Sequence, residues 1–287
     1  MPATSFQSRR AVFRGLIERE QAVVPVSVWD AVSARLAASM GFEVGLFAGS
    51  VASHVVLGAP DLVLLTLTEF VEQTRRITRA TDLPLIVDAD HGYGNARNVQ
   101  RTVQELEAAG VAALTIEDTV LPRSYGTHGA ELISREEFRD KLRAAVAARV
   151  DASLVIVGRT GALQSVGLEE AVARAAIATE VGVDAVFVLG TTAKEQVEAV
   201  HAATRLPLVL NTLAAPADEL AKLGVRLVFQ GHAPYFVALR ALHEAYTALR
   251  DGVALKDRVA GPDLQAQALD AATYATLTRD YLGASSD

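Results

Sequence analysis

From about residue 22 onward, strand-like segments alternate with helix-like segments eight times in succession. The strand-like segments are continuous apolar runs, which is typical of strands buried on both faces of a parallel sheet. Eight consecutive strand–helix units predict a (β/α)8 TIM barrel, and a chain of 287 residues suits one such domain. The predicted strands span residues 22–28, 44–48, 83–87, 112–116, 154–157, 185–189, 207–210 and 225–229.

A doubly wound parallel sheet is the alternative fold for such an alternation. It would place a glycine fingerprint for dinucleotide phosphates directly after the first strand. Here Gly92 and Gly94 follow the third predicted strand, and Arg97 stands where a third glycine would be. The glycine pattern therefore favours the barrel over a dinucleotide-binding fold.

Two further segments lie outside the eight units. Before the first strand, four apolar residues at helical spacing predict a helix packed against the barrel: Val12, Phe13, Leu16 and Ile17. After Gly252 the chain becomes polar, and one more helix is predicted over 264–282. We predict a single barrel domain over 1–287, with 252–287 as a C-terminal helical extension.

Helix ends can be predicted from their flanking residues. A helix is expected over 68–81 with Thr68 as its N-cap, because a threonine side chain can accept a backbone hydrogen bond there. A second helix, over 96–109, is expected to end at Gly110, because glycine adopts the left-handed conformation that follows many helices.

Composition excludes several classes of protein. The net charge of −7 argues against a nucleic-acid partner. The absence of cysteine rules out disulfides, thiolate metal sites and a cysteine nucleophile. Polar residues interrupt the most apolar stretch, 44–67, so no membrane span is expected. A cytoplasmic location fits this composition.

Asp88 and Asp90 follow directly on a purely apolar strand, in the stretch Val-Asp-Ala-Asp-His-Gly-Tyr-Gly-Asn that ends at Asn95. Residues two apart on a strand point the same way, so both carboxylates are expected at the carboxyl end of a parallel strand. Adjacent carboxylates repel each other unless a cation or a proton lies between them. Oxygen ligands favour Mg²⁺, or Mn²⁺ as a substitute.

Other predicted strands also end in residues that carry chemistry, and a barrel would bring these ends to one mouth. Arg159 offers a guanidinium fork that matches a carboxylate, and the backbone at Gly49 and Ser50 can cradle an anion. Glu117 adds a carboxylate to the aspartate pair. Asn211 and His232 complete the set. Such a mouth suits a small 2-oxo-dicarboxylate whose oxygens bind the metal.

Each of these residues also has an ordinary structural interpretation. A single arginine at a strand end is more often structural than catalytic, and His232 could cap the following helix. Glu117-Asp118 could form a solvated turn, and His91 could be packed in the interior. Coincidence at five strand ends is improbable, which favours a site.

These residues resemble the isocitrate lyase/phosphoenolpyruvate mutase superfamily, and within it the bacterial oxaloacetate decarboxylase branch. The match rests on Ala48-Gly49-Ser50, the signature from Asp88 to Asn95, Ile116-Glu117-Asp118 and Arg159-Thr160. It is supported by Gly231-His232-Ala233.

The resemblance implies a barrel whose eighth helix is swapped between subunits, in a homotetramer built as a dimer of dimers. It implies that Asp88 binds Mg²⁺ directly, while Asp90 and Glu117 hold it through water. Ser50, Arg159 and His232 would contact the substrate.

Two stretches depart from the family pattern. Lyases of the superfamily carry a cysteine in a Lys-[Lys/Arg]-Cys-Gly-His loop, where this chain reads Leu-Pro-Arg-Ser-Tyr-Gly-Thr-His over 121–128. Cleavage of isocitrate or methylisocitrate is therefore not expected. The decarboxylase branch has a tyrosine after the seventh strand, where this chain reads Asn-Thr-Leu-Ala-Ala-Pro over 211–216.

The predicted reaction is Mg²⁺-dependent decarboxylation of oxaloacetate to pyruvate and CO₂ through a metal-stabilised enolate. Asp88, Arg159 and His232 are the predicted catalytic residues, and the loop over 120–133 is expected to close over the site. The alternatives are another enzyme of the superfamily, such as a methylisocitrate-lyase-like enzyme or a phosphonopyruvate mutase or hydrolase, and a non-catalytic dicarboxylate-binding barrel.

Overall fold

The computed structural model describes residues 4–211 and 215–283. Its centre is one sheet of eight parallel strands, in which each strand pairs with the next along the chain. The strands are β1 (Val26–Ser27), β2 (Gly45–Ala48), β3 (Leu85–Asp88), β4 (Ala113–Glu117), β5 (Val155–Thr160), β6 (Ala185–Val188), β7 (Leu208–Leu210) and β8 (Val225–Val228).

A backbone pairing just before β1 closes this sheet. The Val23 amide donates to the Arg226 carbonyl at 2.8 Å, and the Val228 amide donates to the Val23 carbonyl at 2.9 Å. Val23 and Leu227 thus form a parallel bridge that joins β8 to the chain entering β1. Closure removes the exposed sheet edges, and the predicted (β/α)8 barrel is confirmed.

Helices cover the outside of the barrel and seal one end of it. In the described residues they are α1 (Phe6–Glu18), α2 (Ala31–Ser39), α3 (Gly49–Ala52), α4 (Leu67–Thr78), α5 (Ala96–Ala108), α6 (Arg135–Ala148), α7 (Ala162–Ser165), α8 (Leu168–Val181), α9 (Lys194–Thr204), α10 (Ala217–Lys222), α11 (Ala233–Arg250), α12 (Pro262–Leu269) and α13 (Ala271–Leu282), with a π-helical turn at Ser53–Leu57 and a 3₁₀ turn at Lys256–Arg258.

Helix α1 seals the amino end of the barrel. Phe13, Leu16 and Ile17 are buried among the inward-facing side chains of the strands, whereas Val12 faces solvent. Arg10, also buried, donates to the carbonyls of Val111 and Glu107 and so ties α1 to β4 and α5. The predicted packing of this segment is confirmed, except that Val12 is not part of the buried face.

Two predictions of helix ends are wrong. Thr66, rather than Thr68, caps α4, because its hydroxyl accepts from the Glu69 amide while the Glu69 carboxylate accepts from the Thr66 amide. The helix predicted over 264–282 is broken between α12 and α13 at Asp270, whose φ of 56° lies in the left-handed region. The predicted end at Gly110 is confirmed by its φ of +89°.

Helix α11 stands out because so little of it is covered. Within the part of the chain that the structure describes, Ala248 is its one buried residue. The next helix, α12, instead packs on α2.

No helix among the described residues is long and apolar enough to cross a bilayer.

Asp118, at the end of β4, is a structural residue rather than a solvated one. Its side chain is fully buried and accepts from the Thr160 hydroxyl, from the Gly161 amide at 3.0 Å and from Arg174 at 3.1 Å. Arg174 also donates to the Ile133 carbonyl at 2.8 Å. This buried ion pair joins the ends of β4 and β5 to the root of the loop over 120–133.

Glu170 holds Arg174 in place from the other side, and it should stabilise the fold in a pH-dependent way. It accepts from Arg174 at 2.7 Å and from Arg135, and these bonds lower the pKa of the Glu170 carboxyl to about 2. We expect Glu170→Gln to lower the free energy of unfolding by about 1–2 kcal/mol at pH 7. Because protonation abolishes the charge in the wild type, the deficit should shrink as the pH falls from about 5 towards 2.

Denaturant unfolding of both proteins at pH 7 and near pH 3 tests this expectation. Glu169→Gln, one residue earlier on an exposed part of α8, is the matched control and should change stability little. A deficit that is independent of pH would contradict the assigned role of the Glu170 charge.

Candidate active site

A cavity of about 220 Å³ opens at the carboxyl ends of the strands. It brings together residues from most of the predicted strand ends, although they are far apart in the sequence. Its lining is formed by Leu46, Ala48, Ser50, Asp61, Asp88, Asp90, Arg159, Phe187, Leu189, Asn211, Phe229, Gly231 and His232.

Asp88, the last residue of β3, is held by two neighbouring strands. The Thr115 hydroxyl of β4 donates to its Oδ1 at 2.6 Å, and Arg159 of β5 forms an ion pair with its Oδ2. The same guanidinium reaches Glu117 Oε2 at 3.0 Å. Arg159 therefore lies between two carboxylates. Glu117 is connected to the cavity through Arg159 rather than by lining the wall.

Asp90 reaches the cavity by a different route from the predicted one. Strand β3 ends at Asp88, and Asp90 has a φ of 47°, so strand alternation does not set the direction of its side chain. The backbone of Asp90 is held instead by a hydrogen bond in which its carbonyl accepts from the Glu117 amide at 2.9 Å. Gly49 leaves room for the carboxylate, because a Cβ at that position would lie 2.5 Å from Asp90 Oδ2.

The site carries more negative charge than its one arginine can balance. Burial raises the pKa of Asp90 well above its ordinary value, and the carboxylates of Asp88 and Glu117 raise it further. Burial also raises the pKa of Glu117, although Arg159 opposes this. Burial by itself would lower the pKa of Arg159, but the surrounding carboxylates raise it overall. Arg159 is thus firmly cationic.

The remaining predicted residues surround the cavity on other sides. His232 shares a hydrogen bond of 2.9 Å between its Nδ1 and the Ser27 hydroxyl of β1, and desolvation lowers its pKa. Asn211, after β7, accepts from the Gly190 amide at 3.4 Å through its side-chain oxygen. Ser50 lies in the first turn after β2. The structure therefore brings these strand ends to one mouth.

Asp61 is a third carboxylate that lines this cavity, beside Asp88 and Asp90, and sequence reasoning missed it. It lies on the loop between the π-helical turn and α4, and partial desolvation and the nearby Asp88 raise its pKa. The only signal in the sequence was an acidic residue that interrupts the apolar stretch 44–67. No motif or strand end marked it as part of a site.

The floor of the cavity is apolar. Phe187 and Phe229 meet edge to face with ring centroids 5.0 Å apart, beside Leu46 and Leu189. The Arg159 guanidinium carbon lies 5.5 Å from the centre of the Phe187 ring. The electron-rich face of the Phe187 ring stabilises the charged form of Arg159. An apolar floor also strengthens every charge interaction above it.

A divalent cation is chemically compatible with this donor set. Within residues 4–211 and 215–283, no three acidic or histidine side chains are already grouped at metal-binding distances. The ion pairs of Arg159 with Asp88 and Glu117 explain this arrangement. Four carboxylates, three of which have pKa values raised by burial and by neighbouring carboxylates, nevertheless offer hard oxygen ligands that a cation would stabilise.

The loop predicted to close the site, over 120–133, is fastened at its root. The Val120 amide donates to the Glu131 carbonyl at 2.8 Å, and Ile133 donates to the Asp118 carbonyl at 2.9 Å. Tyr125 at its tip is fully exposed. The other sequence departure, the missing tyrosine after β7, concerns the stretch 211–216, of which 212–214 lie outside the described residues.

Comparison with known proteins agrees with the resemblance identified in the sequence. The phosphoenolpyruvate phosphomutase family matches residues 13–250. An oxaloacetate decarboxylase of Rhodopseudomonas palustris (strain BisB5) is 50% identical over 279 residues, 96% of each chain.

Solved structures agree as well. Oxaloacetate acetylhydrolase in complex with 3,3-difluorooxalacetate superposes with a TM-score of 0.86 at 31% identity, covering 98% of this chain and 99% of that one. Phosphonopyruvate hydrolase in complex with oxalate and Mg²⁺ superposes with a TM-score of 0.82 at 27% identity, covering 96% and 99%. On the extent of these matches, the chain belongs to the phosphoenolpyruvate phosphomutase family, within the isocitrate lyase/phosphoenolpyruvate mutase superfamily.

Proposed function

We propose that this chain is a Mg²⁺-dependent carboxy-lyase that converts oxaloacetate to pyruvate and CO₂. The observation that carries the proposal is a single small cavity in which Asp88 and Asp90 face Arg159 and His232 above an apolar floor. Relatives of 50% identity that are named oxaloacetate decarboxylase support it.

Asp88 would hold the metal directly, and Asp90 and Glu117 would hold it through water, with Mn²⁺ as a substitute for Mg²⁺. When bound, the cation supplies Lewis-acid polarisation of the 2-oxo group. Asp61, which also lines the cavity, adds a further carboxylate. The solved phosphonopyruvate hydrolase with oxalate and Mg²⁺ supports this choice of ion.

The protein's own groups would orient the substrate. Arg159 is a permanent cation whose guanidinium can pair with a substrate carboxylate, and Ser50, the backbone at Gly49 and the Asn211 amide would contact the rest of the substrate. Ser27 engages Nδ1 of His232, so Nε2 is the ring nitrogen available to the 2-oxo oxygen. Holding both ends fixes the C3–C4 bond for cleavage.

The apolar floor favours loss of CO₂. When the C3–C4 bond breaks, its electron pair moves toward C2 and its oxygen to give the enolate of pyruvate, and the charged carboxylate leaves as neutral CO₂. A proton from water then adds to C3 and completes pyruvate. An environment formed by Leu46, Phe187 and Phe229 solvates a carboxylate poorly and CO₂ well. His232 would donate to the oxygen on which charge develops.

Hydrolysis of oxaloacetate is the competing activity, because an oxaloacetate acetylhydrolase has the same fold at 31% identity. Analysis of products separates the two reactions: decarboxylation yields pyruvate and CO₂, and hydrolysis yields oxalate and acetate. Purified protein with Mg²⁺ and oxaloacetate should form pyruvate well above the rate that the metal ion alone produces. Stoichiometric oxalate would overturn the proposal in favour of hydrolysis, and turnover of phosphonopyruvate alone would favour a phosphonate enzyme.

Asp88→Ala should lose metal binding and most activity. We expect the rate above the metal-only background to fall at least about 100-fold, since losing even an outer partner of a metal ligand costs about 10–100-fold. Calorimetric titration with Mg²⁺ should show no saturable binding. Asp140→Ala, on an exposed part of α6, is the matched control. Full activity in Asp88→Ala with Mg²⁺ present would contradict the assignment.

Gly49→Ala should impair catalysis without unfolding the protein. The added Cβ would meet Asp90 Oδ2 at 2.5 Å, and displacing that carboxylate should lower kcat/KM by about 10–100-fold. Gly161→Ala is the control, because the nearest atom to its Cβ is 3.9 Å away. Equal activities of the two variants, measured alongside their melting temperatures, would remove Gly49 from the site.

We further propose that the chain forms a homotetramer, a dimer of dimers in which α11 is exchanged between subunits. Leu239, Leu242, Tyr246 and Leu249 recur every three or four residues along α11, and each is about half exposed. Such a stripe is typical of a helix that packs against another. A second copy of this chain is the occupant proposed for it.

Leu242→Asp should dissociate this assembly, because the charge would be buried between apolar side chains. Light scattering after size-exclusion chromatography should report smaller species than the wild type. Ala241→Asp introduces the same charge on another side of α11 and should leave the mass unchanged. A wild-type monomer, or an unchanged mass in Leu242→Asp, would contradict the proposal.

A further inference from the structure

A second cavity, of about 270 Å³, lies outside the barrel wall near the end of β4. Thr119, Val120 and Leu121, at the root of the loop over 120–133, form one side of it. His91 and Lys141 form the other. No residue of this cavity lines the reaction cavity, and the mechanism above does not use His91 or Lys141.

Lys141 on α6 is a buried lysine that lines this cavity, with 2% of its surface exposed. None of the hydrogen bonds and ion pairs found within 4–211 and 215–283 involves its ammonium group. Desolvation accordingly lowers its pKa. Glu137, which is exposed, is the carboxylate that acts most strongly on Lys141, and the buried Asp118 and Glu117 are already paired with Arg174 and Arg159. An anion bound in the cavity would give the Lys141 ammonium group a direct partner.

His91 supplies a second unused donor or acceptor beside Lys141. It is 5% exposed, and its Nδ1 has no hydrogen-bond partner among the described residues. Buried polar atoms in folded proteins almost always have a partner. A ligand in the cavity would provide one.

The backbone at the start of α5 also favours an anion in this cavity. Gly94 and Asn95 line the cavity where the 13-residue helix α5 begins, and the amino end of a helix attracts anions. Opposing this, Glu137 lies one turn before Lys141 at the exposed mouth of the cavity. Its negative charge disfavours ligands with several charges and favours a small monoanion.

We propose that this cavity, between α5, α6 and the root of the loop over 120–133, binds a small oxyanion such as a simple carboxylate or bicarbonate. Lys141 and His91 hold the oxygens, and the amino end of α5 faces the charge. The site is separate from the reaction cavity and does not rest on the proposed reaction.

Crystals soaked in sodium bromide test the site directly, because bromide is a monovalent anion with a strong anomalous signal. We expect an anomalous peak within hydrogen-bonding distance of Lys141 Nζ and His91 in the wild type, and none there in Lys141→Met. Water alone in the wild-type cavity would overturn the proposal.

Hydrogen exchange in solution tests the oxyanion itself, because the ligand would contact the loop root. Acetate, added at constant ionic strength against chloride, should slow exchange of amides in 119–133 in a saturable manner. Lys141→Met should weaken acetate binding at least about tenfold, since a charge-assisted hydrogen bond is lost. Glu137→Gln should bind acetate more tightly, because it removes a repulsive charge.

Lys222→Met is the matched control, since it removes the same charge from an exposed position on α10. It should bind acetate as the wild type does. The variant Glu137→Gln keeps the proposal testable if Lys141→Met fails to fold. Wild-type protein without acetate-dependent protection, or equal protection in the wild type, Lys141→Met and Glu137→Gln, would overturn the proposal.

Discussion

The ion pairs of Arg159 with Asp88 and Glu117 are the interaction on which the site depends. Three neighbouring strands, β3, β4 and β5, each contribute one of these charges, so the register of the parallel sheet sets their distances. A carboxylate pair with no cation between its members would be strongly repulsive. Arg159 offsets that repulsion in the described structure while leaving Asp90 and Asp61 without an arginine partner. Asp90 and Asp61 thereby offer oxygen ligands for the divalent cation proposed above.

Glu117 and Asp118, adjacent at the end of β4, have different structural roles. Glu117 points toward the barrel axis and pairs with Arg159 at the reaction cavity, whereas Asp118 points outward and binds Arg174, Thr160 and the Gly161 amide. Because side chains alternate along a strand, neighbours in sequence face opposite sides of the barrel wall. The outward network anchors the loop over 120–133, and the inward one forms the site. The same loop root borders the second cavity that holds Lys141 and His91.

Much of the fold followed from patterns that depend on a few neighbouring residues. Apolar runs and helical spacing located all eight strands and the barrel helices to within a few residues. One error concerned the start of α4, where Thr66 and Thr68 are both residues that can cap a helix. Thr66 is the cap because Glu69, three residues later, completes a capping box with it. The other error was the break between α12 and α13 at Asp270, where no glycine or proline marks the end of a helix in the sequence. Asp61 was missed because a loop residue has no periodicity.

The sequence by itself determined the fold class, the absence of thiol chemistry and the strand ends from which Asp88, Arg159 and His232 project, since parallel strands deliver their carboxyl ends to one mouth. Only the tertiary structure decided which groups meet there. Asp90 faces the cavity through a left-handed backbone rather than strand alternation, and Gly49 makes the necessary space from another strand. The position of Asp61 at the reaction cavity and the burial of Lys141 beside the second cavity also depend on contacts between distant segments. Pairing over long sequence separations depends on packing geometry, which no local pattern encodes.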